Sequence, residues 1–313
     1  MGDQRMSILV CGEALVDLVP DRAGGGPTLT PKLGGGPFNV AVALGRLGAD
    51  VQFLSRISRD PFGRDLVAWL EASNVGLDHL QRGPELTTLA LTVLDANGAA
   101  EYSFYADGTA DRLVQEPADI PDSITAASFG TLSLLYEPGA SVYASILARV
   151  HEAGVLTMLD PNIRPAAMTD ADGYRTRFRS WLPSVDILKV SVEDAAWLGE
   201  GVGGSTVDDW LAAGVTAVVV TRGGDGLSVV TADGETTVPG VSVDVADTIG
   251  AGDTVHGAIL HHLTEQGVRS SGDVRGLAGE QWTAALSFAA RAAAITVSRP
   301  GADPPWADEV GDD

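Results

Sequence analysis

Apolar residues fall along this chain in two rhythms. In the first third, short apolar runs at 8–11, 14–19, 51–54, 89–94 and 102–105 alternate with polar turns and read as strands. Between them, Val40, Ala43, Leu44 and Leu47 recur at the spacing of one helix face over 37–47, and Gly48 follows where such a helix would end. A second helix is predicted over 65–72. From about residue 125 the rhythm changes to strand and helix in alternation. Strands at 128–132, 155–159, 187–189 and 217–221 are interleaved with helices at 141–153, 174–182, 193–198 and 207–213. A hairpin is predicted for 227–230 with 235–238 around Asp233-Gly234, followed by long helices at 251–264 and 281–294. Nearly continuous apolar strands separated by helices predict an α/β fold, a doubly wound, mostly parallel sheet flanked by helices. One domain over residues 1–313 is expected, with no internal repeat or long linker. The pieces near 13–32 and 86–106 break the alternation and predict a small β-sheet lid.

Composition narrows the partners. With 313 residues, 45% hydrophobic and 20% charged, the chain has the make-up of a globular protein with a sizeable core. No apolar run reaches the ~18 residues of a membrane span. The start, residues 1–7, lacks the basic, apolar and small-residue pattern of a secretory signal, so the expected compartment is the cytoplasm. A formal charge of −22 argues against nucleic acid and anionic membranes as partners. Only Lys32 and Lys189 are lysines. If such an acidic chain handles phosphate, local N–H groups and metal ions must do the holding. The single cysteine, Cys11, lies in an apolar run and reads as a small buried hydrophobe.

The strongest chemical signal is Asp247-Thr-Ile-Gly250-Ala251-Gly252-Asp253-Thr254, followed by a helical apolar pattern. A Gly-Ala-Gly turn opening a helix leaves N–H groups free and lets the backbone approach a ligand, with the helix dipole behind it. That is an anion hole. A carboxylate at the helix start, Asp253, could accept a proton from an attacking hydroxyl. The bland alternative is that Asp253 only caps the helix.

This octapeptide resembles the second signature of the ribokinase-like carbohydrate kinases, also called the phosphofructokinase-B family. The segment Gly34-Gly35-Gly36-Pro-Phe-Asn39-Val-Ala-Val-Ala-Leu-Gly-Arg-Leu-Gly48 resembles the first signature, and Phe53 to Asp65 continues it. The resemblance runs from Ile8 to about Trp306 and implies a ribokinase-like fold and an ATP-dependent sugar kinase. It implies that Asp253 is the catalytic base beside the anion hole of Gly250, Ala251 and Gly252. Asp17, Gly35, Gly36 and Asn39 become sugar contacts, although Asp17 could be a solvated strand-end acid and Asn39 a helix cap. For the nucleotide, Lys189 and Ser191 resemble an Asn-x-x-Glu region in which Ser191 replaces the Asn, leaving open whether Glu193 or Asp194 serves Mg²⁺ through water. Thr221, Gly223 and Gly226 resemble a loop along the ATP phosphates, and a plain turn is the alternative. Many family members bind a monovalent cation such as K⁺. The matching positions here are Asp247, Ile249, Thr296, Arg299 and Gly301.

Two further stretches bear on the sugar. Asp160-Pro-Asn162-Ile-Arg164-Pro resembles fructokinases and 2-keto-3-deoxygluconate kinases, as does Phe104-Tyr105-Ala106-Asp107-Gly-Thr-Ala-Asp111, where Ala106 replaces their usual arginine. Losing the natural bidentate partner of a carboxylate tilts the expectation toward a neutral ketohexose, fructose phosphorylated at the primary O6, with Tyr105, Asn162 and Arg164 as sugar contacts. Alternatives are 2-keto-3-deoxygluconate kinase or ribokinase activity, or a catalytically silent sugar- or nucleotide-binding protein. An oxidoreductase is disfavoured because no Gly-x-Gly-x-x-Gly follows the first strand. The lid strands leave open a homodimer or a monomer.

Overall fold

A computed structural model describes residues 6–20, 28–94 and 100–311. The chain opens with β1 (Ser7–Cys11), β2 (Leu15–Pro20), β3 (Leu29–Gly34), α1 (Gly36–Arg46), β4 (Asp50–Leu54) and β5 (Arg56–Ser58). Next come α2 (Pro61–Ala72), β6 (Val75–Gly76), β7 (Gln81–Gly83), β8 (Thr88–Leu94) and β9 (Ala100–Tyr105). It continues through β10 (Ile124–Gly130), α3 (Gly139–Glu152), β11 (Leu156–Asp160), α4 (Ala171–Trp181), β12 (Ile187–Ser191), α5 (Val192–Leu198), α6 (Val207–Ala212) and β13 (Ala217–Thr221). Last are β14 (Leu227–Thr231), β15 (Gly234–Val238), α7 (Ala251–Glu265), α8 (Ser271–Arg275), α9 (Gly279–Val297) and α10 (Ala307–Val310).

A nine-stranded sheet has the order β15-β14-β13-β12-β11-β10-β1-β4-β6. Its pairs from β6 to β13 are parallel, and β14 and β15 add an antiparallel edge. Strands covered on both faces are largely apolar rather than alternating, and β1 and β11 are buried at every position. Ile8 and Val10 join a core with Leu44 of α1, Leu66 of α2, Ile259 of α7 and Trp282 of α9. Leu9 and Cys11 point the other way, into a core with Ile146 of α3, Phe178 of α4, Leu198 of α5 and Trp210 of α6. Burial pushes the Cys11 thiol up, which leaves it an inert core group. Among the described residues, no helix is long and apolar enough to cross a membrane.

The winding positions the site. From β1 the chain moves out to β4 and β6, then returns to β10 on the other side of β1 and steps outward to β13. The direction therefore reverses between β1 and β10, where a crevice opens at the C-terminal strand ends. Above it sits a four-stranded sheet of order β3-β2-β8-β9, built from the two pieces that broke the sequence rhythm. Residues 21–27 and 95–99 of those pieces lie outside the described residues.

Several boundaries differ from the sequence expectation for local reasons. The strand expected at 128–132 runs from Ile124 to Gly130, and Thr131, at φ 60°, turns the chain into a short 3₁₀ segment. The hairpin turns at residues 232–233, one position earlier than expected, because Thr231 pairs with Gly234. The helix expected at 65–72 starts at Pro61, where Asp60 caps it by accepting the Gly63 N–H at 2.7 Å. The short elements β5, β6, β7, α8 and α10 were not anticipated, because each is too brief to show a period.

Candidate active site

The two signature segments meet where helices α1 and α7 cross. Gly257 makes that crossing possible, since a Cβ there would lie 3.1 Å from the Ala43 Cβ and 3.3 Å from the Val40 carbonyl. The close approach brings the first turns of both helices together, and the Asn39 amide Nδ2 donates to Asp253 Oδ2 at 2.8 Å in a buried bond. Neither residue is the helix cap that the bland reading allowed. The N-cap of α1 is Gly35, and that of α7 is Gly250 in the left-handed region at φ 79°, with no side-chain cap. The Ala251 N–H is taken by the Thr248 carbonyl and that of Thr254 by the Gly250 carbonyl. Among the described residues, the N–H groups of Gly250, Gly252 and Asp253 have no protein acceptor, so Ala251 drops out of the expected Gly250–Gly252 hole and the Asp253 N–H stands beside the other two.

A cleft of about 560 Å³ opens here between the strand ends and the small sheet. At one end it is lined by Asp17 of β2, by Gly35 and Gly36, by Asn162 and Arg164 after β11, and by Phe104 of β9. At the other end it meets Lys189 and Ser191 of β12, Glu193 and Asp194 of α5, Thr221 at the end of β13 with Gly223 beyond it, and the Thr248–Asp253 turn. Burial raises the Asp253 carboxyl to about 6, opposed by the Asn39 hydrogen bond and by Lys189, with Asp160 adding to the rise and Arg164 opposing it. Burial also raises Asp17 to about 6, with Arg164 pulling it down and Asp253 pushing it up. The two acids and the guanidinium thus share one electrostatic neighbourhood. Arg164 is held in place by Asn162, whose side-chain oxygen accepts from its guanidinium at 2.7 Å.

Other expected residues sit elsewhere or are otherwise engaged. Tyr105 is 60% exposed, while its neighbour Phe104 lines the cleft, because successive strand residues face opposite sides. Gly226 stands at φ 107° against the Val238 carbonyl and Gly240, a turn into β14 away from the cleft lining. Ser191 caps α5, accepting the Asp194 N–H at 3.0 Å, and Asp194 returns the bond to the Ser191 N–H at 3.1 Å. The other Asp194 oxygen accepts the Ile163 N–H at 2.8 Å. Of the two candidate magnesium acids, Glu193 is the exposed one. Asp247 accepts the N–H groups of Ile249 at 3.1 Å and Gly301 at 2.9 Å, so two of the expected cation segments lie side by side. Within them, the Thr296 carbonyl accepts the Arg299 N–H at 3.1 Å and the Gly301 carbonyl that of Asp303 at 3.0 Å, while the Arg299 side chain pairs with Glu309.

Sequence reasoning passed over Glu13. It is 2% exposed, accepts the Thr131 hydroxyl, and takes the Ser133 N–H at 2.9 Å, tying the end of β1 to the end of β10 at the winding reversal. Burial raises its carboxyl to about 7. The strained left-handed Thr131 that it holds lines the cleft. One signal was available: Glu13 directly follows the first strand's closing glycine, Gly12, on the ligand-binding edge.

With this geometry in place, comparison with known proteins is informative. The model of the pfkB family carbohydrate kinases matches residues 5–309. A fructokinase of Rhizobium leguminosarum bv. trifolii is 40% identical over 261 residues, covering 82% of this chain and 79% of that one. The crystal structure of a fructokinase with bound ATP from Xylella fastidiosa superposes with a TM-score of 0.89 at 28% identity, covering 98% of this chain and 97% of the other. A double mutant of the Vibrio cholerae O395 fructokinase, in fructose-, ADP- and potassium-bound form, gives a TM-score of 0.79 at 26% identity over 96% of this chain and 95% of its own.

Proposed function

This chain belongs to the pfkB family of carbohydrate kinases, and we propose that it transfers the terminal phosphoryl group of ATP to O6 of fructose. The observation that carries this reading is the buried Asn39–Asp253 hydrogen bond at the mouth of the Gly250–Gly252 turn, in a cleft that Asp17 also lines. Asp17 would accept hydrogen bonds from sugar hydroxyls, and Asp253 would take the proton of the attacking one. A base whose carboxyl sits at about 6 is ionised at neutral pH yet still basic enough to work. The free N–H groups of Gly250, Gly252 and Asp253, with the α7 dipole behind them, would hold the oxygens of the group in flight.

Charge favours a neutral sugar. Glu13, Asp17 and Asp253 stand in the cleft with Arg164, while Lys189 is already paired with Asp160. A substrate carboxylate would add a further negative charge. Arg112, the arginine nearest in sequence to Ala106 and a candidate partner for a sugar acid, is occupied by Asp107 and the carbonyls of Ala106 and Glu137. The fructokinases among the relatives point to the same sugar.

Magnesium brought with ATP keeps several waters and needs few protein oxygens. Glu193 fits that demand, because Asp194 is committed to backbone N–H groups. Bound there, the ion would neutralise phosphate charge. The Asp247 loop, already joined to Gly301, is the proposed place for a monovalent cation such as K⁺. The cytoplasm, where ATP is held, is the compartment this reading implies. The exposed edge strand β3 is where a second copy would pair in a homodimer. ADP formation with fructose, 2-keto-3-deoxygluconate, ribose and adenosine tests the substrate. The highest kcat/KM is expected for fructose, and a higher value for ketodeoxygluconate would overturn the choice.

A further inference from the structure

One of the chain's two lysines is buried. Lys189 is 4% exposed, and its partner is Asp160 at the end of the neighbouring strand β11. Burying an ammonium is costly unless it is paired, and pairs of this kind are often no more stable than apolar replacements. Core stability alone is therefore a weak reason for this one. Asp160 is fixed from a second side, since its Oδ1 accepts the Asn162 N–H at 3.1 Å. The ammonium is packed against the start of α7, where an atom at the Cβ position of Gly252 would be 3.1 Å from Lys189 Nζ. A cation at a helix N-terminus is unfavourable on its own, because the helix dipole is positive there. The arrangement makes sense where an anion is to be held between the two. Lys189, Gly252 and Asp253 all line the same cleft.

We propose that Asp160 is a positioning residue that aims Lys189 at the anion hole of α7, so that the pair acts as one unit on the phosphoryl group in transfer. The proposal rests on the kinase reading above. It adds a fixed positive charge, packed against the helix start, to the three backbone donors of the hole.

The pair also leaves a mark on the base. Asp253 is faced by Asn39 from α1, Asp17 from β2, Asp160 from β11, Arg164 from the loop after it and Lys189 from β12. Lys189 favours the ionised carboxyl and Asp160 disfavours it. Removing each partner should therefore move the acidic limb of the kcat/KM profile in opposite directions.

The experiment compares Lys189→Met, Asp160→Asn and the double variant with the wild-type enzyme. Lys189→Met is expected to lower kcat by about 10²-fold, the scale of one lost transition-state donor. Asp160→Asn should lower it by about tenfold, the scale on which an outer partner acts through the group it orients. The acidic limb should move to higher pH in Lys189→Met and to lower pH in Asp160→Asn. The double variant leaves no unpaired buried charge, so it should fold at least as stably as the single variants yet stay as slow as Lys189→Met. Recovery of near wild-type kcat in the double variant would mean a purely structural pair and would overturn the proposal, as would limb shifts of the same sign. A wild-type protein that forms no ADP with any sugar would instead sink the kinase reading, a separate outcome.

Discussion

The molecule uses the same local device twice, a helix start with an acid in its first turn, and puts it to opposite uses. At α5 the side chain of Ser191 caps the helix, and Asp194 spends its oxygens on the N–H groups of Ser191 and Ile163. At α7 the cap is Gly250, which has no side chain, and Asp253 takes its hydrogen bond from the distant Asn39. The first acid satisfies the backbone around it. The second leaves helix N–H groups unspent and keeps a carboxyl facing the cleft. On the proposed reading, what separates a functional acid from a structural one is what each has been relieved of doing. At α5 the free acid is the neighbour, Glu193.

The sharpest way to break this contrast is to neutralise each acid in turn. Asp253→Asn keeps the shape and the Asn39 contact but cannot take a proton, so kcat should fall by roughly 10³–10⁴-fold while fructose still binds. Asp194→Asn should leave kcat within about threefold and lower thermal stability instead, since its loss falls on hydrogen bonds worth ~1 kcal/mol each. Steady-state kinetics beside thermal melts decide the matter. A comparable collapse of kcat in both variants would erase the distinction.

A second, smaller effect concerns stability and carries an opposite sign. The Asp253 carboxyl is raised from 3.8 to about 6 in the folded protein, so the native state holds this proton more tightly than the unfolded chain does. Below pH 3.8 both states are protonated and the group is neutral toward stability. As pH rises toward about 6 the unfolded chain gives up its proton first, and above that the full cost is present, about 3 kcal/mol at 1.36 kcal/mol per pKa unit. Asp253→Asn should therefore be more stable than wild type at pH 8, with the gain fading toward pH 4. In the wild type the acidic limb of kcat/KM should have its midpoint near pH 6. Denaturant melts across this range test the sign, and a destabilised variant at pH 8 would contradict it.

How much of this could be seen in the sequence follows from the range of the forces involved. The parallel sheet showed itself because strands buried on both faces, such as 156–159, are largely apolar rather than alternating. The Gly250–Asp253 turn showed itself because a free helix start needs glycine and a short acid in consecutive positions. The Glu13–Thr131 link did not, since it joins residues 118 apart through one buried side chain. Nor did the partnership of Lys189 with Asp160, each of which looks like an ordinary strand-end residue until β11 and β12 lie side by side. Tyr105 and Phe104 were confused for a simpler reason: the face of an edge strand is a matter of register, and a shift of one residue exchanges inside for outside.

The finest test of the contrast is at the cap itself. Ser191→Ala removes the oxygen that accepts the Asp194 N–H at 3.0 Å and dissolves the capping box. N-cap losses of this kind cost ~1 kcal/mol, which for a chain of 313 residues corresponds to a Tm lower by about 2 °C. Ser191 also lines the cleft, where the family pattern places an asparagine near the nucleotide. If its work is capping, the melting shift should appear with kcat and the ATP KM changed by less than about twofold, because the Glu193 carboxylate is carried by the following turn and not by the serine oxygen. If the ATP KM instead rises tenfold at unchanged Tm, the α5 corner holds nucleotide through the cap residue itself. The division of labour between the two helix starts would then lie between one hydroxyl and one carboxylate, not between structure and chemistry.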